Sequence, residues 1–222
     1  SSDVCSSDLV TTTLLESDAE PTTQNVDSTT SLAMPATSSV TEPSSITHPT
    51  SPDTGHLCQR LSESEEQPWV VVNDGVMGGR SEGVISTETG EMQFSGTIVT
   101  DGGGFSSVRR ELDARLAESV GLQLRVRADE RKYEVLLTDV DSQAYRVTYY
   151  APLEIEGDNW QVVEVSFDDL EARIFGRRVD APPFQPEKVT TIGIILADGA
   201  DGEFLFELDW ISACTGANPV EG

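Results

Sequence analysis

The sequence predicts an all-β fold, an antiparallel sandwich, on three observations. Apolar and polar residues alternate in GLQLRVRA, which sets Leu122, Leu124 and Val126 on one face and Gln123, Arg125 and Arg127 on the other. Comparable runs, KYEVLLTDV, AYRVTYYA, WQVVEVSF, TTIGIILAD and GEFLFELDWIS, follow at similar spacing with Asp, Gly, Asn or Pro between them. No long amphipathic helix interrupts them, which excludes a doubly wound nucleotide-binding fold.

Taken in order, the chain divides into four parts. Residues 1–9, SSDVCSSDL, repeat Ser-Ser-Asp around Val4 and Cys5 and read as the translation of a sequencing adaptor. Residues 10–66 are rich in Ser, Thr and Pro with scattered acids, and bury too little apolar surface to offset ordering entropy, so they read as a flexible tether. Residues 67–215 are the sandwich, and 216–222 a C-terminal tail. Within the sandwich, WVVV opens into a glycine loop, and GVISTETGEMQFSGTIV follows as a strand with its hairpin partner. DGGG is a second glycine loop, leading into a strand with Phe105, Ser107 and Arg109 on one face. Single helical turns are expected near LDARLAE and FDDLEA.

Charge narrows the function classes. The 222 residues carry 39 acids against 14 bases, a formal net charge of -25, and Lys132 and Lys188 are the only lysines. Such a field repels nucleic-acid backbones and anionic membrane surfaces, so no nucleic-acid partner is expected. No apolar run approaches the roughly 18 residues of a spanning helix, and no direct membrane insertion is expected.

Neither glycine loop has the chemistry of a phosphate cradle, because each runs into an alternating strand and not into a helix whose amides would carry the phosphate charge. Between Trp69 and Ile211 there is neither histidine nor cysteine, which removes Ser-His-Asp and Cys-His catalysis and His- or Cys-based metal sites from the domain. A non-enzymatic chain with no cofactor and no metal ligand set is the expectation. Asp139 and Asp141, and Asp198, Asp201 and Glu203, offer oxygen ligands at loops but miss the twelve-residue calcium-loop spacing.

WVVVNDGVMGGRSEG, FSGTIVTDGGGFSSVRR, LQLRVRADERKY, WQVVEVSFDDL, FGRRV and IGIILADGADGEFLFELDWI fall in the order of the motifs of the complex I intermediate-associated protein 30 family, and the chain resembles a member of bacterial type from Trp69 to Ile211. The resemblance implies a galactose-binding-like jelly roll and, by way of the mitochondrial members, a chaperone role in assembling respiratory complex I. One motif departs from the family's Gly-Asp-Gly-Arg-x-Tyr: Ala128-Asp129-Glu130-Arg131-Lys132-Tyr133 lacks both glycines, so that turn has to close without positive φ there.

Two binding readings follow. One is an assembly factor that contacts a protein partner, such as respiratory-complex subunits. The other is an extracytoplasmic carbohydrate-binding module on the tether. In either, Asn73, Asp74, Met77 and Arg80 of the first glycine loop are expected to converge with Gly104, Phe105 and Arg109 of the second, with Trp160 as a stacking ring. The plainer alternative makes the loops simple turns, with Arg109 paired to Asp74 as a staple and the tryptophans in the core. Cys58 and Cys214 flank the domain, and in a jelly roll the first and last strands often adjoin, so a disulfide between them would imply an oxidising, periplasmic or cell-surface location. Two free thiols in a cytoplasmic protein are the alternative.

Overall fold

A computed structural model describes residues 57–61, 67–88, 90–112 and 116–216. The adaptor-like segment and nearly all of the expected tether lie outside the described residues.

Among the described residues thirteen strands form two antiparallel sheets in a jelly-roll sandwich. Along the chain they are β1 (Leu57–Arg60), β2 (Val70–Asn73), β3 (Glu82–Ser86), β4 (Met92–Ile98), β5 (Ser106–Glu111), β6 (Ser119–Ala128), β7 (Tyr133–Asp139), β8 (Thr148–Pro152), β9 (Gln161–Ser166), β10 (Glu171–Ile174), β11 (Arg177–Arg178), β12 (Val189–Leu196) and β13 (Gly202–Thr215). One sheet runs β3-β4-β13-β6-β9, with β1 also on β13; the other runs β11-β10-β8-β7-β12-β5-β2.

Alternation decides what faces inward. Leu122, Leu124 and Val126 of β6 are buried in the inter-sheet core with Phe94, Phe204 and Phe206, and oppose Val108, Val135, Leu137, Ile192 and Ile194 of the other sheet. Each such side chain contributes about 1.5–3 kcal/mol relative to exposure. Phe94 and Phe204 meet edge to face at 4.8 Å between centroids.

β13 changes phase. Phe204, Phe206 and Leu208 face the core, then Ile211 and Ala213 do, because the register slips between Leu208 and Trp210. This bulge turns Asp209 and Trp210 outward together.

Two expectations need adjusting, the extent of the tether and the acidic turn at Asp139–Asp141. The tether does not extend unbroken to Glu66, since Leu57–Arg60 pairs residue by residue with Ser212–Thr215 and belongs to the sheet. Backbone hydrogen bonding to β13 is what orders so polar a segment. In the same register Cys58 faces Cys214 and a disulfide joins them. The stretch around Asp139–Asp141 is not only an acidic turn: Val140–Ala144 forms a short helix α1, closed by a capping box between Asp139 and Ser142. FDDLEA supplies a 3-10 turn at Phe167–Asp169.

The turn that lacks the family's glycines closes by side chains. Asp129 accepts from the Arg131 amide at 3.1 Å, the Tyr133 hydroxyl at 2.9 Å and the Leu205 amide at 2.7 Å. None of Ala128, Asp129 and Glu130 takes positive φ.

Candidate functional site

The residues expected to form one site occupy three places. The first is the junction of the glycine loops. After β2 the chain makes a 3-10 turn over Asp74–Met77 and crosses to the other sheet. The Asp74 carboxylate is fully buried. It accepts from the Ser81 amide (2.9 Å), the Ser81 hydroxyl (2.6 Å), the Gly104 amide (2.6 Å) and the Phe105 amide (3.4 Å). Burial pushes its pKa up, and these hydrogen bonds outweigh that and hold it below the usual carboxylate value. The glycines make room for the carboxylate itself: a Cβ on Gly79 would lie 2.2 Å from Asp74 Cγ, and one on Gly103 2.3 Å from Oδ2.

Asp74 is therefore a staple, and its partners are Ser81 and the second loop's amides, not Arg109. A buried carboxylate saturated by donors has nothing left to offer a ligand. Asn73 is similarly engaged, its Oδ1 accepting from Ser106 Oγ at 2.6 Å and the Gly83 amide at 3.2 Å. Gly104 and Phe105 serve through the amides given to Asp74. Only the rim faces outward: Met77 is 62% exposed, and Arg80 pairs with the exposed Asp101 at 2.7 Å.

The second place is the outward face of the six-stranded sheet. Trp160, half-buried just before β9, carries the Arg125 and Arg127 guanidinium groups at 4.8 and 5.1 Å from its centroid. Those groups are themselves paired, Arg125 with Asp209 and Arg127 with Glu207. Trp160 is thus a cation platform, not an open stacking ring, and it lies on a different sheet from Arg109. The other tryptophans are half-buried too, with Arg60 over Trp210 and Arg110 over Trp69, each at 4.8 Å.

The third place is the outward face of the seven-stranded sheet. Strand register sets Val70, Arg109, Gly193, Leu136, Tyr150 and Glu171 in one row across it. Leu136 and Ile195 are buried although they point away from the inter-sheet core, and form an apolar floor. The Arg109 stem crosses Gly193, where a Cβ would meet Arg109 Cγ at 3.0 Å and Leu136 Cδ1 at 3.1 Å. Its Nε donates to Ser107 Oγ at 3.2 Å. Among the described residues Arg109 makes no ion pair. Burial lowers its pKa, and the Coulombic effect of Tyr150 works partly against that. Beyond Tyr150, Arg173 packs 5.0 Å from the ring and bonds to Glu134 at 2.9 Å and Glu171 at 3.1 Å. Next to Arg109, a shallow cavity of about 360 Å³ is lined by Pro68, Val70, Glu111 and Thr191.

Ser81, Tyr150, Glu134 and Arg173 were not expected from sequence at a site. Alternation in AYRVTYYA opposes Tyr150 to the core residues Tyr149 and Ala151, but nothing local tells which strand lies alongside. The acidic loops are also spoken for: Asp198 pairs with Arg131 at 2.7 Å, and Asp201 accepts from the Thr100 amide and hydroxyl. Among the described residues no group of three or more His, Cys, Asp or Glu side chains is arranged to hold a metal ion. No described helix is long and apolar enough to cross a membrane.

Comparison with known proteins agrees with this architecture. A family 11 carbohydrate-binding module of a cellulosomal cellulase from Clostridium thermocellum superposes with a TM-score of 0.51 at 13% identity, over 76% of this chain and 98% of that one, a likeness of fold alone. The Mus musculus protein named complex I intermediate-associated protein 30, mitochondrial, is 28% identical over 173 residues, 66% of this chain and 52% of that protein. A probable counterpart of the same name from Caenorhabditis elegans is 27% identical over 159 residues, 62% of this chain and 47% of that protein. The chain thus spans about half the length of the curated relatives it matches. The family described as complex I intermediate-associated protein 30 matches residues 59–208, which take in strands of both sheets, and the chain belongs to that family.

Proposed function

We propose that the sandwich is a non-catalytic binding module that acts in protein assembly, with subunits of a respiratory complex as its partners. The family match over residues 59–208 carries this reading. The chemistry agrees with it: the buried carboxylate Asp74 is saturated by hydrogen bonds, and the part-buried acids Asp198 and Glu207 are each held by an arginine. An acid or base tied up in this way has no proton to exchange with a substrate. The Cys58–Cys214 disulfide supports an oxidising compartment for the domain.

Affinity capture with the full chain from a membrane and envelope extract of the source organism, run beside a glycan array, tests this reading. Recovery of respiratory-complex subunits, lost on competition with untagged protein, is the expected result. Array binding without any such subunit would overturn it in favour of a carbohydrate-binding module.

A further inference from the structure

The seven-stranded face contains an unfilled position. Arg109 presents five N–H donors, one of them given to Ser107 Oγ. In a chain with 39 acids, most arginines with a resolved partner sit against a carboxylate: Arg80, Arg125, Arg127, Arg131, Arg173 and Arg178 all do. Among the described residues Arg109 does not, although Glu111 stands two residues away on the same strand and Glu134 lies on the same sheet face. Glu134 is drawn to Arg173 instead. The Arg109 stem is fixed by Gly193 and Leu136, so its head is held in place before any ligand arrives. Tyr150 stands in the same row of this face, on the far side of Leu136 from Arg109, and its hydroxyl has no hydrogen-bond partner among the described residues. A planar guanidinium fork and a phenol hydroxyl on one sheet face suit a carboxylate, which accepts two parallel N–H bonds and one O–H bond.

We propose that Arg109 and Tyr150 grip the carboxylate of an Asp or Glu side chain on a protein partner laid across the outward face of the seven-stranded sheet. This rests on the binding-module reading and names its contact. Charge complementarity at Arg109 selects the carboxylate, and the apolar floor of Leu136 and Ile195 with the exposed Val70 selects aliphatic neighbours for it. A long acidic tract is disfavoured by the net charge of -25. A uronic-acid sugar fits less well, because Tyr150, the aromatic ring that the strands place on this face, already carries Arg173. An extended peptide puts alternate residues on one side, so a single Glu flanked at i-2 and i+2 by Val matches the surface.

The test uses the full chain and the blocked peptide acetyl-Val-Ser-Glu-Ser-Val-amide, with its Gln counterpart and an oligogalacturonate as comparators. The readouts are the Arg109 Nε–Hε resonance, assigned by its loss in Arg109→Lys, and the backbone amide of Gly193 beneath the Arg109 stem, which every variant retains. Saturable shifts with the Glu peptide at millimolar concentration or below are expected. Affinity should drop at least tenfold for the Gln peptide and for Arg109→Gln, and severalfold for Tyr150→Phe, with each variant melting as the parent does. Equal binding of the Glu and Gln peptides, no saturable shift, unchanged affinity in Arg109→Gln, or a response to the oligogalacturonate alone would overturn the proposal. The two readings fail separately. Subunit capture that survives Arg109→Gln removes this contact and leaves the assembly role, whereas peptide binding without subunit capture removes the assembly role and leaves the contact.

Discussion

Asp74 and Arg109 are both charged, both lie beside glycine-rich turns, and both were expected to serve one ligand, yet they have opposite fates. Asp74 is fully buried and each carboxylate oxygen is occupied by donors from its own chain. Arg109 is half-buried, with a single hydrogen bond among the described residues. A charge taken out of water is kept only if its surroundings replace the lost hydration, which makes Asp74 part of the framework. A charge left partly in water with donors to spare keeps part of its hydration and remains open to an outside acceptor. Glycine content and charge alone do not separate these two cases, whereas burial together with hydrogen-bond saturation does.

The largest expected effect follows from the framework side. Asp74→Ala strands the Ser81, Gly104 and Phe105 donors in a buried junction and should cost about 3 kcal/mol or more in chemical denaturation. Gly103→Ala should lose a comparable amount, because its Cβ would overlap the same carboxylate. A melting temperature within a degree of the parent in either variant would show that the loops are not stapled as described.

Arg131→Ala comes next, at about 2–4 kcal/mol, since it releases Asp198 and the carbonyls of Ala200, Gly202 and Glu203 at once. Thermal melts of Arg131→Ala beside Arg80→Ala sharpen the contrast. Arg80 and Asp101 are mostly exposed, and loss of their pair should change stability by less than about 0.5 kcal/mol.

Acid stability checks the same division. Asp74, Asp198 and Glu207 are all held below their ordinary pKa: Asp74 by hydrogen bonds that outweigh its burial, Asp198 mainly by Arg131 and Glu207 mainly by Arg127. A depressed folded pKa contributes stability that is complete above the unfolded value and disappears as pH falls through the folded one. The melting temperature should therefore be nearly flat from neutral pH to about 5 and fall steeply below about 4. In Asp74→Asn that acid-side fall should be shallower.

Much of this was legible in the sequence, and what was not shares a cause. Period-two alternation identifies β6, β7, β9, β12 and β13 and their inward faces, because each strand meets the core along its own length. The β13 bulge shows only as a break of phase between Leu208 and Ile211, and α1 hides in a short acidic stretch whose capping box is clear only once Asp139 and Ser142 are seen to bond to each other. The site was harder. Asp74 meets donors 7, 30 and 31 residues away, and which donors those are depends on how the two loops cross. Arg109 comes near Tyr150 only through the registers of β5 on β12, β12 on β7 and β7 on β8, and an error of one residue in any of them would turn one of the two side chains inward.

The most direct test of the account is urea denaturation of Asp74→Ala and Arg109→Gln side by side. A loss of about 3 kcal/mol is expected in the first and less than about 0.5 kcal/mol in the second. Equal losses in both, or parent-like stability in Asp74→Ala, would contradict the division between a buried framework charge and an open recognition charge.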